Sequence, residues 1–192
     1  MRCTALGSVA AGDGGAAGAA PSGDSVEALL LCTLPDGIVW ATEPSNTLFV
    51  RTEAKHIWRL VCEQKEGPSI ITGPPGIGKS WTLNYFLIEL AKAPVTVVLD
   101  LAARQARYVL QPDGTVLRYS YGEGTPDDEL ADMRTWYLFD PDEGNSQPLK
   151  VFAKTVVATS PNHYVAVVEK SPYIKKFHFS ALSLSYRKAP VE

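Results

Sequence analysis

Eight consecutive residues, Gly73-Pro74-Pro75-Gly76-Ile77-Gly78-Lys79-Ser80, have the types and spacing to hold a polyphosphate. They satisfy the pattern G-x-x-x-x-G-K-[ST] at each fixed position. Backbone N–H groups can surround a chain of phosphates only where side chains leave room. Gly73, Gly76 and Gly78 give that room, and backbone angles that other residues resist. Lys79 brings a compact positive charge to the β- and γ-phosphate oxygens, and Ser80 a hydroxyl for Mg²⁺. A helix beginning here, with Trp81 in its first turn, aims the positive end of its dipole at the anion.

A second stretch supplies a carboxylate. Thr135-Trp136-Tyr137-Leu138-Phe139-Asp140 is an apolar run ending in an acid. In phosphate-loop proteins such an Asp lies by the loop's Ser and orients Mg²⁺, so the strand ending in Asp140 is expected to run beside the loop's own strand. Asp also forms turns at strand ends, and Pro141-Asp142-Glu143-Gly144 follows. Glu143 is the candidate for positioning an attacking water, with Asp142 behind it. A third stretch, 151–159, reads as a strand ending in Ser160-Pro161-Asn162. Ser160 and Asn162 have the polarity to meet a γ-phosphate; either could equally cap a helix over 164–170.

These residues need elements to hold them. Residues 69–72 read as a short buried strand before the loop, and 81–91 as a helix apolar nearly all round, suited to packing on a sheet. Pro94 stops that helix, and the β-branched run 95–101 is a second buried strand. The segments 107–110 and 115–119 flank Gln111-Pro112-Asp113-Gly114, a hairpin signature, expected as an exposed insertion near 107–119. A short helix is expected over 127–133 and a fifth strand over 173–179. Upstream, Leu48-Phe49-Val50-Arg51 leads into a helix over 52–62, with Thr52 as its N-cap and Ile57, Trp58, Leu60 and Val61 on its apolar face. The apolar pieces 28–32 and 38–40 flank Pro35-Asp36-Gly37 and suggest a small hairpin. Residues 1–24 are Ala/Gly/Ser-rich and expected to be disordered. They lack the continuous apolar stretch of a signal peptide. The domain plan is a tail over 1–24, a lead-in with its helix over 25–66, a nucleotide-binding core over 67–180, and a tail over 181–192 with no lid or effector domain.

Composition narrows the class. A chain of 192 residues suffices for one α/β domain, and 45% hydrophobic with 20% charged residues is ordinary for a globular protein. The net charge of −3 offers no overall basic field to nucleic acid. No run reaches the roughly 18 apolar residues of a membrane span. Cys3, Cys32 and Cys62 have neither C-x-x-C nor zinc spacing and read as reduced thiols. His56, His163 and His178 are scattered, which argues against a metal site built from them.

The order Phe49-Val50-Arg51, the GPPGIGKS loop, Trp136-Tyr137-Leu138-Phe139-Asp140 and Val157-Ala158-Thr159-Ser160-Pro161-Asn162 resembles the ATPase module of crinkler effectors and trypanosomatid retrotransposon hot spot (RHS) proteins. The resemblance covers roughly residues 48–179. It implies a P-loop NTPase, a three-layer α/β sandwich with a mostly parallel five-stranded sheet in the order 5-1-4-3-2, binding ATP and Mg²⁺. Lys79 and Ser80 would match the nucleotide and metal ligands, Asp140 the Walker B carboxylate, and Ser160 and Asn162 the polar end of a sensor-like strand. Family members often add a helical lid and an effector domain, and secretion into a host is implied by the resemblance alone.

Three functions fit these expectations. One is a Mg²⁺-dependent ATPase. Another is a nucleotide-gated interaction module without significant hydrolysis, favoured by the lack of an assured arginine finger: Arg187 is the one candidate, and it reads equally as a solvated tail residue. The third is a small kinase, which needs basic lid residues where 141–165 offers only Lys150 and Lys154. Beyond a nucleoside triphosphate, the expected partners are a protein or a nucleic acid, with no membrane and a cytoplasmic or nuclear location. Lys170, Lys175, Lys176, Arg187 and Lys188 interleave with Tyr173, Phe177, Phe179 and Tyr186. That mixture suits phosphates and stacked bases, and equally an edge strand guarded by charge.

Overall fold

Strands and helices alternate over residues 47–101. The computed structural model describes residues 2–5, 30–36, 40, 45–142, 146–161 and 172–179. Three strands come first: β1 (Arg2–Ala5), β2 (Leu30–Thr33) and β3 (Thr47–Val50), joined antiparallel in that order. Helix α1 (Thr52–Glu63) follows, then β4 (Ser69–Thr72), α2 (Lys79–Leu90) and β5 (Val97–Leu101). A 3-10 turn (Ala102–Arg104) leads to β6 (Ala106–Leu110) and β7 (Val116–Ser120). A short helix α3 (Asp127–Ala131), β8 (Trp136–Asp140), β9 (Lys154–Thr159) and β10 (Lys175–His178) complete the described part.

The main sheet is mostly parallel and has seven strands, in the order β10-β4-β9-β8-β5-β6-β7. The first five of these are parallel to one another, and numbered among themselves along the chain they run 5-1-4-3-2. β6 and β7 extend the β5 edge antiparallel. The expected sheet of five strands is therefore corrected to seven. The hairpin exists, but it is no exposed insertion: Ala106, Arg107 and Val109 are buried against the sheet, and only β7 lies open, with Val116 and Leu117 exposed.

Both faces of the sheet are covered, so its inner strands read as unbroken apolar runs. Alternation along β8 divides its residues between two cores. Trp136 and Leu138 join α1, α2, β2 and β3 on one face, while Tyr137 and Phe139 join Leu130 and Ala153 on the other. Phe86, Leu83, Tyr137 and Phe139 are wholly buried, and each such side chain contributes about 1.5–3 kcal/mol. The second face carries little helix: among the described residues α3, the 3-10 turn and the 149–153 segment cover it. A full helical layer on both faces, as in a three-layer sandwich, is not seen among the described residues, and the helix expected over 164–170 lies outside them.

Three smaller expectations change. Residues 2–5, placed by composition in a disordered tail, form β1 by pairing with β2, and 6–24 lie outside the described residues. β2 pairs with β1 on one side and β3 on the other, and of the 38–40 piece expected to form a hairpin with it only Trp40 lies among the described residues, buried in the core. Thr52 is the first residue of α1 and Arg51 its N-cap, without a side-chain cap bond. No described helix is long and apolar enough to cross a membrane.

Candidate functional site: the loop between β4 and α2

The loop leaves β4 and enters α2 through backbone angles that its glycines supply. Gly76 (φ 74°) and Gly78 (φ 94°) are left-handed, a region costly for residues with a Cβ. Gly78 caps α2 and accepts from the Thr82 N–H at 3.0 Å. Gly73 is needed for a different reason. A Cβ there would stand 2.5 Å from the Phe179 carbonyl oxygen, because the Phe179 N–H donates to the Thr72 carbonyl at 2.6 Å and brings the chain after β10 onto the loop. Gly73→Ala must push these backbones apart, and an overpacking loss of about 1–3 kcal/mol is expected in a urea melt. An unchanged midpoint would mean that the contact with Phe179 is slack.

Pro74, Pro75 and Gly76 are exposed at the tip, while Ile77 and Trp81 are half-buried and pack against the core. Lys79 turns back under the loop. Its Nζ donates to the carbonyls of Gly73 (2.9 Å) and Pro74 (2.8 Å). Burial pushes the Lys79 pKa down from its ordinary value, and the nearby Asp140 charge opposes that in part. A buried ammonium with two carbonyl acceptors is well solvated by dipoles and short of negative charge.

Asp140 supplies the nearest carboxylate. On β8 it continues the face of Trp136 and Leu138, which is the face α2 packs on. Ser80 Oγ, in the first turn of α2, donates to Asp140 Oδ1 at 2.9 Å. The two residues meet although β8 is not the neighbour of β4. β9 lies between, which corrects the expected adjacency, and α2 spans the gap by crossing over β9 and β8.

Ser160 follows Thr159, whose register partner is Thr72, so Ser160 stands level with Gly73 at the start of the loop. Asp142 lies just past β8, and its Oδ1 accepts from Ser146 Oγ (2.7 Å) and the Ser146 N–H (3.3 Å). Glu143, Asn162 and Arg187 lie outside the described residues. Of the interleaved basic and aromatic residues, Lys175 and Lys176 are exposed on β10 and Tyr173 just before it, Phe177 is half-buried, and Phe179 is buried and not open to stacking on a base. Lys170, Tyr186, Arg187 and Lys188 lie outside the described residues.

Two groups of residues near the site went unread in the sequence. Asp100, on β5, is buried on the sheet face opposite α2. Its carboxylate accepts from Arg107 Nε (2.9 Å), Tyr137 OH (2.8 Å) and Tyr121 OH. The Arg107 guanidinium also lies 4.1 Å from the centre of the Tyr121 ring, and Tyr137 OH accepts from the Leu149 N–H at 3.1 Å. Burial and the Asp100 charge push both tyrosine pKa values far up, so these phenols stay protonated as donors. The signal available was a lone acid inside a β-branched run, which demands a buried partner. The second is the contact of Arg51, between β3 and α1: the sequence showed it only within the Phe49-Val50-Arg51 motif, and its guanidinium reaches the loop.

Comparison of the chain with protein-family models, with curated proteins and with solved structures finds no match.

Proposed function

We propose that the chain is a Mg²⁺-dependent, ATP-binding P-loop NTPase of the crinkler/RHS type. The observation that carries this reading is the 2.9 Å contact of Ser80 Oγ with Asp140 Oδ1, made by residues far apart in sequence at the mouth of a glycine loop. Magnesium takes oxygen ligands, keeps several waters, and uses one or two carboxylates together with phosphate oxygens. A hydroxyl and a carboxylate at this separation fit that donor set. Among the described residues no three His, Cys, Asp or Glu side chains group as a metal site, and a site completed by substrate oxygens needs no such group.

Each residue has a task on this reading. The left-handed Gly76 and Gly78 turn loop amides toward the phosphates. Lys79 exchanges its carbonyl acceptors for β- and γ-phosphate oxygens, and the polyphosphate supplies the negative charge that its buried ammonium is short of. Ser80 and Asp140 hold the ion, which when bound draws charge from the phosphate oxygens. Glu143 positions the attacking water, and Ser160 and Asn162 meet the γ-phosphate. The protein works in the cytoplasm or nucleus, and a protein or nucleic-acid partner reads its nucleotide state. The alternative is a nucleotide-gated module with the same binding site and no significant turnover.

ATP with Mg²⁺ is expected to raise the melting temperature of the purified chain. The stabilisation at a hundredfold excess over Kd is about 2.7 kcal/mol by mass action. In Lys79→Ala that shift should shrink, since a charge-assisted contact contributes about 1.5–3 kcal/mol. No shift at millimolar ATP-Mg²⁺, or an equal shift in the variant, would remove the basis of the assignment.

A further inference from the structure

We propose that Arg51 and Phe179 form a clamp that holds the phosphate loop in its binding shape, with Arg51 as a positioning residue for nucleotide binding. For its role in binding, the inference rests on the function proposed above; for loop geometry it stands alone.

Arg51 sits at the junction of β3 and α1, before the loop in sequence and across from it in space. Three contacts of its guanidinium with described residues define the clamp. Nη1 donates to the Ile77 carbonyl inside the loop at 3.5 Å. Nη2 pairs with Glu53 at 2.8 Å. The cation also lies 4.5 Å from the centre of the Phe179 ring. Phe179 is itself fixed: its ring is buried, its N–H is bonded to Thr72, and its carbonyl is pressed against Gly73. The loop is thus gripped at both ends. Phe179 covers its first glycine, and Arg51, resting on Phe179, meets the carbonyl of Ile77 just before the left-handed Gly78.

This geometry suits a guanidinium and not an ammonium. A planar fork can face a ring, a carboxylate and a carbonyl at once, while Lys offers a single point charge. The Ile77–Gly78 peptide is the consequential one to hold. Its carbonyl takes Arg51, so its N–H, antiparallel to that carbonyl within the peptide plane, points away from Arg51. Two consecutive glycine-bearing turns have little conformational preference of their own; an outside contact must choose one arrangement before a ligand arrives. Such preorganisation lowers the cost of binding.

The test compares Arg51→Lys, Arg51→Met and Phe179→Leu with the parent chain, and Glu53→Gln as a control for loss of the ion pair alone. Hydrogen exchange of the ligand-free protein reads the loop directly. Amides over 76–80 are expected to exchange about tenfold faster in Arg51→Lys and in Phe179→Leu, while amides of β8 and β9 keep their protection. ATP-Mg²⁺ affinity, by titration, should fall about tenfold in the same variants, and the double variant should lose less than the sum of the two, because both act on one contact. Parent-like loop exchange in Arg51→Lys and Phe179→Leu overturns the clamp. Faster exchange with parent-like affinity overturns the positioning role. If the parent itself binds no ATP-Mg²⁺, the proposed function fails, and the exchange data still decide the clamp. Should Arg51→Met not fold, the Lys and Leu variants carry the decision.

Discussion

Asp140→Asn is expected to abolish Mg²⁺-dependent phosphate release while metal-free nucleotide binding survives. Asn keeps the size and an Oδ1 acceptor for the Ser80 hydroxyl, so the 2.9 Å contact can persist and the fold with it. What goes is the negative charge. Magnesium needs a hard, charged oxygen ligand, and removing one group that stabilises developing charge costs about 10²–10³ in kcat. Phosphate release and equilibrium binding, with and without Mg²⁺, measure the two effects separately. Glu143→Gln should instead keep Mg²⁺-ATP binding and slow the chemical step. Normal hydrolysis by Asp140→Asn would move the metal site, and Asp142 would be the next carboxylate to test. A parent chain that releases no more phosphate than Lys79→Ala would favour the gated module.

Arg107→Ala is expected to cost about 3–5 kcal/mol of folding stability. Its partner Asp100 is 1% exposed and would be left as a buried carboxylate without a cation. For a chain of this size each kcal/mol lowers the melting temperature by about 2–4 °C, so thermal and urea melts resolve the effect easily. The ion pair at 2.9 Å joins β5 to β6 on the second core, and Tyr121 and Tyr137 donate to the same carboxylate. Removing one member therefore leaves two others poorly satisfied. A loss below about 1 kcal/mol, the scale of an exposed pair, would mean that the four groups do not act as a unit.

The loop was legible because its chemistry is local. Glycines, Lys79 and Ser80 are adjacent in sequence, and the strand and helix around them follow from apolar runs. Asp140 was legible for a similar reason, as the acid that ends such a run. The side of the sheet it faces follows from strand alternation alone. What stayed hidden depends on pairing between distant segments. The hairpin was recognised from its turn, but nothing in residues 107–119 states that β6 will lie on β5. That depends on Ala106, Arg107 and Val109 fitting β5 more closely than solvent fits them. Gly73 shows the same limit: its need for a bare Cα comes from Phe179, more than a hundred residues later. Arg51 looked like part of a motif, and only folding brought it to Ile77.

The position of β10 bears on how the protein is made. β4 is the strand that launches the loop, yet one of its two neighbours, β10, is the last described strand. Roughly a hundred residues separate Thr72 from Phe179, and synthesis at about 5–20 residues per second spends roughly 5–20 s between them. Its other neighbour, β9, is also made late, so for most of that interval the nascent chain carries β4 with both flanks bare, a strand ready to pair with any other edge. The loop cannot acquire its described form on the ribosome until the segment that covers Gly73 has emerged, and until then the β4 edge is where a chaperone would be needed.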